Sequence, residues 1–139
     1  MKVFLDANIL VSVLNKEYPL FSYSARILSL STPQVELYSS PICLAIAYYF
    51  AEKKSGAEMA KNKIALLLRN IHIAEVNKEG VLLAVQNKAI LDFEDGLEYY
   101  SALNAGCTCI VTGNIKDFYF SEIEVWDPAR FLQNCIKNN

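Results

Sequence analysis

The sequence predicts an α/β protein whose mostly parallel sheet is covered by helices on both faces. Short apolar segments alternate with segments of helical periodicity along the 139 residues, and this alternation is typical of parallel strands that are connected by helices. The sequence contains no repeats, low-complexity tracts or linker-like stretches, so we expect residues 1–139 to form a single domain. A chain of this length buries roughly 68% of the surface exposed when it is unfolded, so its core needs no disulfide or zinc ion.

Five segments have the pattern of buried strands. Each is a short apolar or alternating run that polar residues, glycine or proline interrupt. In chain order they are residues 3–5, 35–38, 71–76, 108–112 and 124–126. Because parallel strands end at the same edge of a sheet, we expect any site to lie beyond their carboxyl ends.

Helical segments occupy most of the chain between these strands. They cover residues 9–14, 20–30, 42–54, 57–70, 77–89, 92–106 and the residues after Asp127, with a short turn or helix at 114–118. Asn77 and Asp92 are residue types that cap helix starts, whereas Gly56 and Gly106 are typical of helix ends.

Composition limits the classes of function that are open to this chain. The 13 Lys and Arg residues against 15 Asp and Glu give a net charge of −2, so any contact with nucleic acid must be local. Cys43, Cys107, Cys109 and Cys135 lack paired metal-ligand spacing, and we expect buried, reduced thiols. The N-terminal stretch is too short and too polar for a signal peptide or membrane span, so we expect a cytoplasmic protein with no membrane contact.

Acidic residues stand where predicted strands end or helices begin. Asp6 follows the first strand, Asp92 and Asp95 open one helix, and Asp117 follows the fourth strand. Two carboxylates about 4 Å apart repel by roughly 4 kcal/mol at an effective dielectric of 20, so a convergent cluster needs a cation. Mg²⁺ or Mn²⁺ fits such a cluster because hard divalent cations prefer oxygen ligands.

Three motifs contain these acids. They are Asp6-Ala7-Asn8, Asp92-Phe93-Glu94-Asp95 with Ala102 farther along the same helix, and Thr112-Gly113-Asn114-Ile115-Lys116-Asp117-Phe118. In this order they resemble the PIN-domain family, in particular its VapC-type toxin ribonucleases. The resemblance implies a three-layer fold with a five-stranded parallel sheet of order 3-2-1-4-5. It further implies a metal-dependent ribonuclease, an RNA substrate, a cognate antitoxin and a homodimer.

The resemblance also assigns roles by position. Asp6, Asp95 and Asp117 match the family's catalytic and metal-binding acids, and Asp92 is a further candidate because it lies one helical turn before Asp95. Supporting or substrate-binding positions are matched by Asn8, Thr112 and Asn114.

Two positions depart from the family pattern. Family members usually carry a glutamate in the helix after the second strand, where this chain has Ile46, and Asn114 occupies a slot that is an aspartate in many relatives. Glu52 lies about 240° around the helix from position 46 and should not replace the missing acid. These departures motivate the alternative of a catalytically weakened PIN fold that serves as an RNA- or protein-binding regulatory module.

Simpler interpretations of the acids remain open. Asp6 and Asp92 are both placed to cap helices, and Glu98 is ambiguous because it lies three residues after Asp95. An aspartyl-phosphate phosphatase would also carry an Asp after the first strand, but it would place a second Asp two residues later, where this chain has Asn8.

One helix pair is a candidate interface for a second copy or an antitoxin. Tyr48, Tyr49 and Phe50 are consecutive in the helix at 42–54, so a helix cannot bury all three rings against one sheet. We therefore expect contact through this helix and the one at 57–69.

Overall fold

A computed structural model describes residues 1–30 and 32–136, and the side chain of Cys135 lies outside the described residues. Five strands form one sheet in which every neighbouring pair is parallel. They are β1 (Lys2–Leu5), β2 (Glu36–Ser39), β3 (His72–Ile73), β4 (Cys109–Val111) and β5 (Glu124–Trp126). Their order is β3-β2-β1-β4-β5, which confirms the predicted fold class and strand order.

Helices connect the strands. The described α-helices are α1 (Ala7–Leu14), α2 (Leu20–Leu28), α3 (Pro41–Ser55), α4 (Ala57–Leu67), α5 (Lys78–Gln86), α6 (Phe93–Asn104) and α7 (Pro128–Ile136). A 3₁₀ helix covers Ile115–Phe118. Gly56 ends α3 with a φ of 84°, a left-handed conformation that glycine adopts without strain, and the chain then turns directly into α4.

The central strands form the middle of the core. Val3, Phe4 and Leu5 are completely buried, as are Ile110 and Val111 of β4. Since successive side chains of a strand point to opposite faces, burial of consecutive residues requires helices on both faces of the sheet. Helix α1 packs on α2 and α3, and α5 packs on α6.

The register of the central strands positions the site. Leu5 of β1 is opposite Val111 of β4, so Asp6 and Thr112 follow their strands at the same edge of the sheet. The backbone N–H of Asp6 donates to the carbonyl of Val111 across this edge, at 3.0 Å. The first and last motifs are therefore neighbours although more than 100 residues separate them in the chain.

Several predicted elements are shorter in the structure, and the largest differences are in β3 and α5. The strand predicted at 71–76 is reduced to His72–Ile73, which pairs on one side only and is exposed. The helix predicted to continue to residue 89 ends at Gln86, because Asn87 is extended and its side chain accepts a hydrogen bond from the N–H of Ala89.

The described cysteine thiols are buried, as expected. Cys43 and Cys107 are free thiols, and Cys109 is buried in β4. Within the described residues, we find no helix with both the length and the apolar character needed to cross a bilayer.

Candidate active site

Asp6 lies at the centre of the site. It is only 5% exposed and is the N-cap of α1, where its Oδ1 accepts from the N–H of Ala7 at 2.6 Å. Its Oδ2 accepts from the Thr112 hydroxyl at 2.8 Å. The capping interpretation is thus correct for Asp6, but the same carboxylate also lines an open cleft, so capping does not exclude a role in the site.

Thr112 joins the first motif to the last. While its hydroxyl donates to Asp6, its Oγ1 accepts from the Asn8 side chain at 3.3 Å and from the N–H of Asn114 at 3.1 Å. Asn8 Oδ1 in turn accepts from the N–H of Gly113 at 2.9 Å. A Cβ atom at Gly113 would lie 3.0 Å from Leu20 Cδ1 and 3.3 Å from Asn8 Cγ. Glycine at this position therefore lets both side chains approach the backbone closely.

Asp117 is held at the cleft by its neighbour in the motif. The Asn114 side chain donates to Asp117 Oδ1 at 3.1 Å, across the first turn of the 3₁₀ helix. Burial, followed by the negative charge of Asp6, raises the pKa of Asp117 above its usual value.

The start of α6 contributes two acids with different surroundings. Asp92 caps the helix by accepting from the N–H of Glu94 at 2.9 Å, which confirms the capping interpretation. Asp95 is half-buried, and burial, reinforced by the charges of Asp92 and Asp117, raises its pKa to about 7. Both acids line the same cleft.

The cleft that these residues share has a volume of about 430 Å³. Its lining includes six carboxyl side chains, and among the described residues that line it there is no Lys, Arg or His. The six acids are Asp6, Glu17, Asp92, Glu94, Asp95 and Asp117. Such a concentration of negative charge in one cleft favours a cation over an anion.

The wall that α3 contributes is apolar. Ile46 lines the cleft together with Phe50, so the position where relatives of the predicted family carry an acid does face this space. Because Ile46 offers no ligand atom, α3 supplies no carboxylate to the cleft lining.

Glu98 is a residue of the site that the sequence did not assign. It is 1% exposed, and its Oε1 accepts from the Cys43 thiol of α3 at 2.6 Å. Burial raises the pKa of Glu98 to about 10, with further contributions from the charge of Asp6 and a hydrogen bond to the Asp6 side chain. One ligand atom each of Asp6, Cys43 and Glu98 lie within 4.8 Å of one another. The sequence signal that could have identified Glu98 was its position three residues, about one helical turn, after Asp95.

The arrangement matches the chemistry of a divalent-cation site. The cleft offers carboxylate oxygens from three separate parts of the chain, and the described residues lining it offer no cationic side chain to neutralise them. Hard cations such as Mg²⁺ and Mn²⁺ prefer this donor set. Of the residues predicted from sequence, Asp6, Asn8, Asp92, Asp95 and Asp117 line the cleft, and Thr112 and Asn114 support it through hydrogen bonds.

Comparison with protein families gives one match that covers most of the chain. A sequence model described as the PIN domain matches residues 2–116. A curated relative, Ribonuclease VapC1 of Aquifex aeolicus (strain VF5), is 28% identical over 137 residues, covering 95% of this chain and 94% of that protein.

Solved structures with the same fold include a toxin–antitoxin complex from Klebsiella pneumoniae, which matches with a TM-score of 0.65 and 19% identity, covering 91% of this chain and 97% of that one. VapBC2 from Rickettsia felis, bound to a DNA fragment from its promoter, contains a chain that matches with a TM-score of 0.73 and 22% identity, covering 91% of this chain and 98% of that one. VapBC-1 from nontypeable Haemophilus influenzae matches with a TM-score of 0.71 and 22% identity, over 93% of this chain and 99% of that one. At this level of identity the likeness establishes the fold.

Proposed function

Because the chain belongs to the PIN-domain family, we propose that it is a metal-dependent endoribonuclease and the toxin of a type II toxin–antitoxin pair. The observation that carries this proposal is the cleft in which six carboxylates meet. The alignment with a ribonuclease over nearly the full length of both chains supports the same activity. Action on cellular RNA implies that the protein works in the cytoplasm.

Asp6, Asp95 and Asp117 are the residues that would hold Mg²⁺ or Mn²⁺. A bound divalent cation would lower the pKa of a coordinated water molecule and neutralise charge on the scissile phosphate. RNA is a polyanion and this protein has a net charge of −2, so the two repel each other. A cation in the cleft would neutralise this repulsion where the phosphate binds.

The remaining polar residues would orient these acids. Both oxygens of Asp6 already accept hydrogen bonds, from Ala7 and Thr112, so its carboxylate is fixed before any ligand arrives. Asn114 restrains Asp117 in the same way. Groups that are oriented in advance need less reorganisation when charge develops during a reaction.

Cleavage of a mixed single-stranded RNA pool over a series of Mn²⁺ concentrations tests the proposal. Wild-type protein should cut the RNA, and Asp6→Asn should lose most of this activity, about 100-fold or more, because it removes charge from the centre of the cluster. Glu79→Gln, which changes an exposed acid in the first turn of α5 and outside the cleft, is the matched control.

Equal cleavage by wild type and Asp6→Asn would indicate a contaminating nuclease and would contradict the proposal. A catalytically weakened PIN fold that binds RNA or protein is the second candidate function, and the presence of Ile46 in the cleft favours it. A wild-type protein that is silent at all Mn²⁺ concentrations, yet active after Ile46→Glu, would support this second candidate.

The antitoxin and a second copy of the chain are the proposed protein partners, with α3 and α4 as the contact surface. Tyr49 of α3 and Met59 of α4 are 52% and 50% exposed, and Leu66 of α4 is 57% exposed. Large apolar side chains exposed together on neighbouring helices are typical of protein interfaces. The likeness in fold to the toxin–antitoxin complex supports an antitoxin as one occupant.

A further inference from the structure

Glu98 is a completely buried acid without a cationic partner. Among the described residues the only ion pair joins Arg130 to Asp127 at the other end of the chain. Burying a carboxylate is costly unless an opposite charge accompanies it, and structural acids in protein interiors are normally paired with Lys or Arg. A purely structural role is therefore a poor explanation for an acid at this position.

The immediate neighbours of Glu98 also argue against a structural role. Its carboxyl group accepts a hydrogen bond from the Cys43 thiol and lies within 4.8 Å of a carboxylate oxygen of Asp6, so it faces a second acid. A glutamine would fill the same space and form neutral hydrogen bonds without adding a negative charge. Without a cation, Glu98 can face Asp6 only as a protonated carboxyl group, a role that the neutral amide of glutamine would also fill, whereas a cation between or beside the two acids would allow both to be ionised.

The packing of α3 against α6 places Glu98 beside the acidic cluster. On α3, Cys43 lies one helical turn before Ile46, and on α6, Glu98 lies one turn after Asp95. The two helices contact each other, and the Cys43–Glu98 hydrogen bond joins them. Asp6 lines the cleft and also contacts Glu98, so Glu98 reaches the acidic cluster from the protein interior.

We infer that Glu98 supplies from α6 the metal-binding carboxylate that position 46 lacks on α3. This inference rests on the proposed function, because it assumes that Asp6 belongs to a divalent-cation site. On this inference, the acid missing from position 46 of α3 is replaced by one on the neighbouring helix α6. Asp6, Asp95 and Glu98 would then bind the cation together.

Mn²⁺ titration of the full chain by isothermal calorimetry tests the inference without relying on activity. Glu98→Gln keeps the side-chain shape and should raise the dissociation constant for Mn²⁺ about tenfold or more. Glu79→Gln should leave it unchanged. In EDTA, the Glu98→Gln protein should melt at or above the wild-type temperature, because glutamine does not have to take up a proton when it is buried, and this separates ligand loss from unfolding.

A second variant moves the acid to α3. The double variant Ile46→Glu/Glu98→Gln should recover most of the Mn²⁺ affinity that Glu98→Gln loses. Ile46 is only partly buried and lines the cleft, so a glutamate has room there. A double variant that binds Mn²⁺ no better than Glu98→Gln alone would overturn this replacement of the acid.

The outcomes distinguish this inference from the proposed function. If Glu98→Gln binds Mn²⁺ like wild type while Asp6→Asn binds weakly, Glu98 is no ligand, and the divalent-cation site remains. If wild-type protein binds neither Mn²⁺ nor Mg²⁺ at millimolar concentration, the proposed function fails and the inference fails with it.

Discussion

At the scale of single residues, Thr112 shows how one hydroxyl group can hold a site together. Its proton goes to Asp6, and its oxygen accepts from Asn8 and from the backbone of Asn114. Thr112 is completely buried, so water cannot replace any of these partners. The hydroxyl therefore matters more for this protein than a typical surface threonine would.

Thr112→Val should destabilise the metal-free protein by about 1–3 kcal/mol, because Asp6 and the two N–H donors lose a buried partner. Thr112→Ser keeps the hydroxyl and is the matched control, with a smaller loss from the missing methyl group. Urea denaturation in EDTA measures both variants. A valine variant that is as stable as the wild type would show that the network contributes nothing.

The residues of the site differed in how far sequence could identify them. Asp6, Asp95 and Asp117 stand at strand ends or helix starts, and the edge of a parallel sheet brings such positions together whatever the details of packing. Glu98 is different, because its spacing from Asp95 defines a helix face but not what faces it. Cys43 lies 55 residues away, and only the packing of α3 against α6 brings the two side chains into contact.

At the scale of elements, the first turn of α6 combines a helix cap with a charged site. Asp92 satisfies the N–H of Glu94, and its negative charge is the second cause, after burial, of the raised pKa of Asp95. The sequence suggested two roles for Asp92, and a pair of substitutions separates the cap from the charge.

Asp92→Ala removes both cap and charge and should cost about 1 kcal/mol of stability, whereas Asp92→Asn retains a good cap and should cost little. Both variants remove one charge near Asp95 and should lower its pKa. Nuclear magnetic resonance titration of the Asp95 carboxyl, combined with thermal melting, measures the two effects. If Asp92→Asn weakens Mn²⁺ binding as strongly as Asp95→Asn does, Asp92 is itself a ligand.

Elements at the edge of the fold were less predictable than those at its centre. Val3, Phe4 and Leu5 of β1 and all three residues of β4 are apolar and buried, so their pattern is unambiguous. At 71–76 the apolar alternation continues beyond the ladder, but β3 has only β2 as a neighbour, and pairing ends after the N–H of Ala74 donates to Ser39. Local periodicity does not reveal where a partner strand ends.

At the scale of the whole molecule, charge is concentrated rather than spread. The net charge is only −2, yet six carboxyl groups line one cleft and a seventh, Glu98, lies behind Asp6. The fold tolerates this concentration in the metal-free state because several of these groups hold protons more tightly than usual. Stability, proton binding and metal binding are therefore coupled in this protein.

The metal-free protein should lose stability as the pH rises from 5 to 8. The pKa of Asp95 is raised to about 7 and that of Glu98 to about 10, both above their values in an unfolded chain. For each group, between its pKa in the unfolded chain and its raised pKa in the folded protein, the folded state binds more protons than the unfolded state. The free energy of unfolding therefore falls with increasing pH. The buried thiols do not titrate between pH 5 and 8, because the pKa values of Cys43 and Cys107 are raised further above 9.0.

Melting temperatures in EDTA should thus decline from pH 5 to 8, and Mn²⁺ should restore them most at pH 8, where it displaces the fewest protons. Glu98→Gln should flatten the decline, and a wild-type melting temperature that is constant or rises over this range would contradict the coupling.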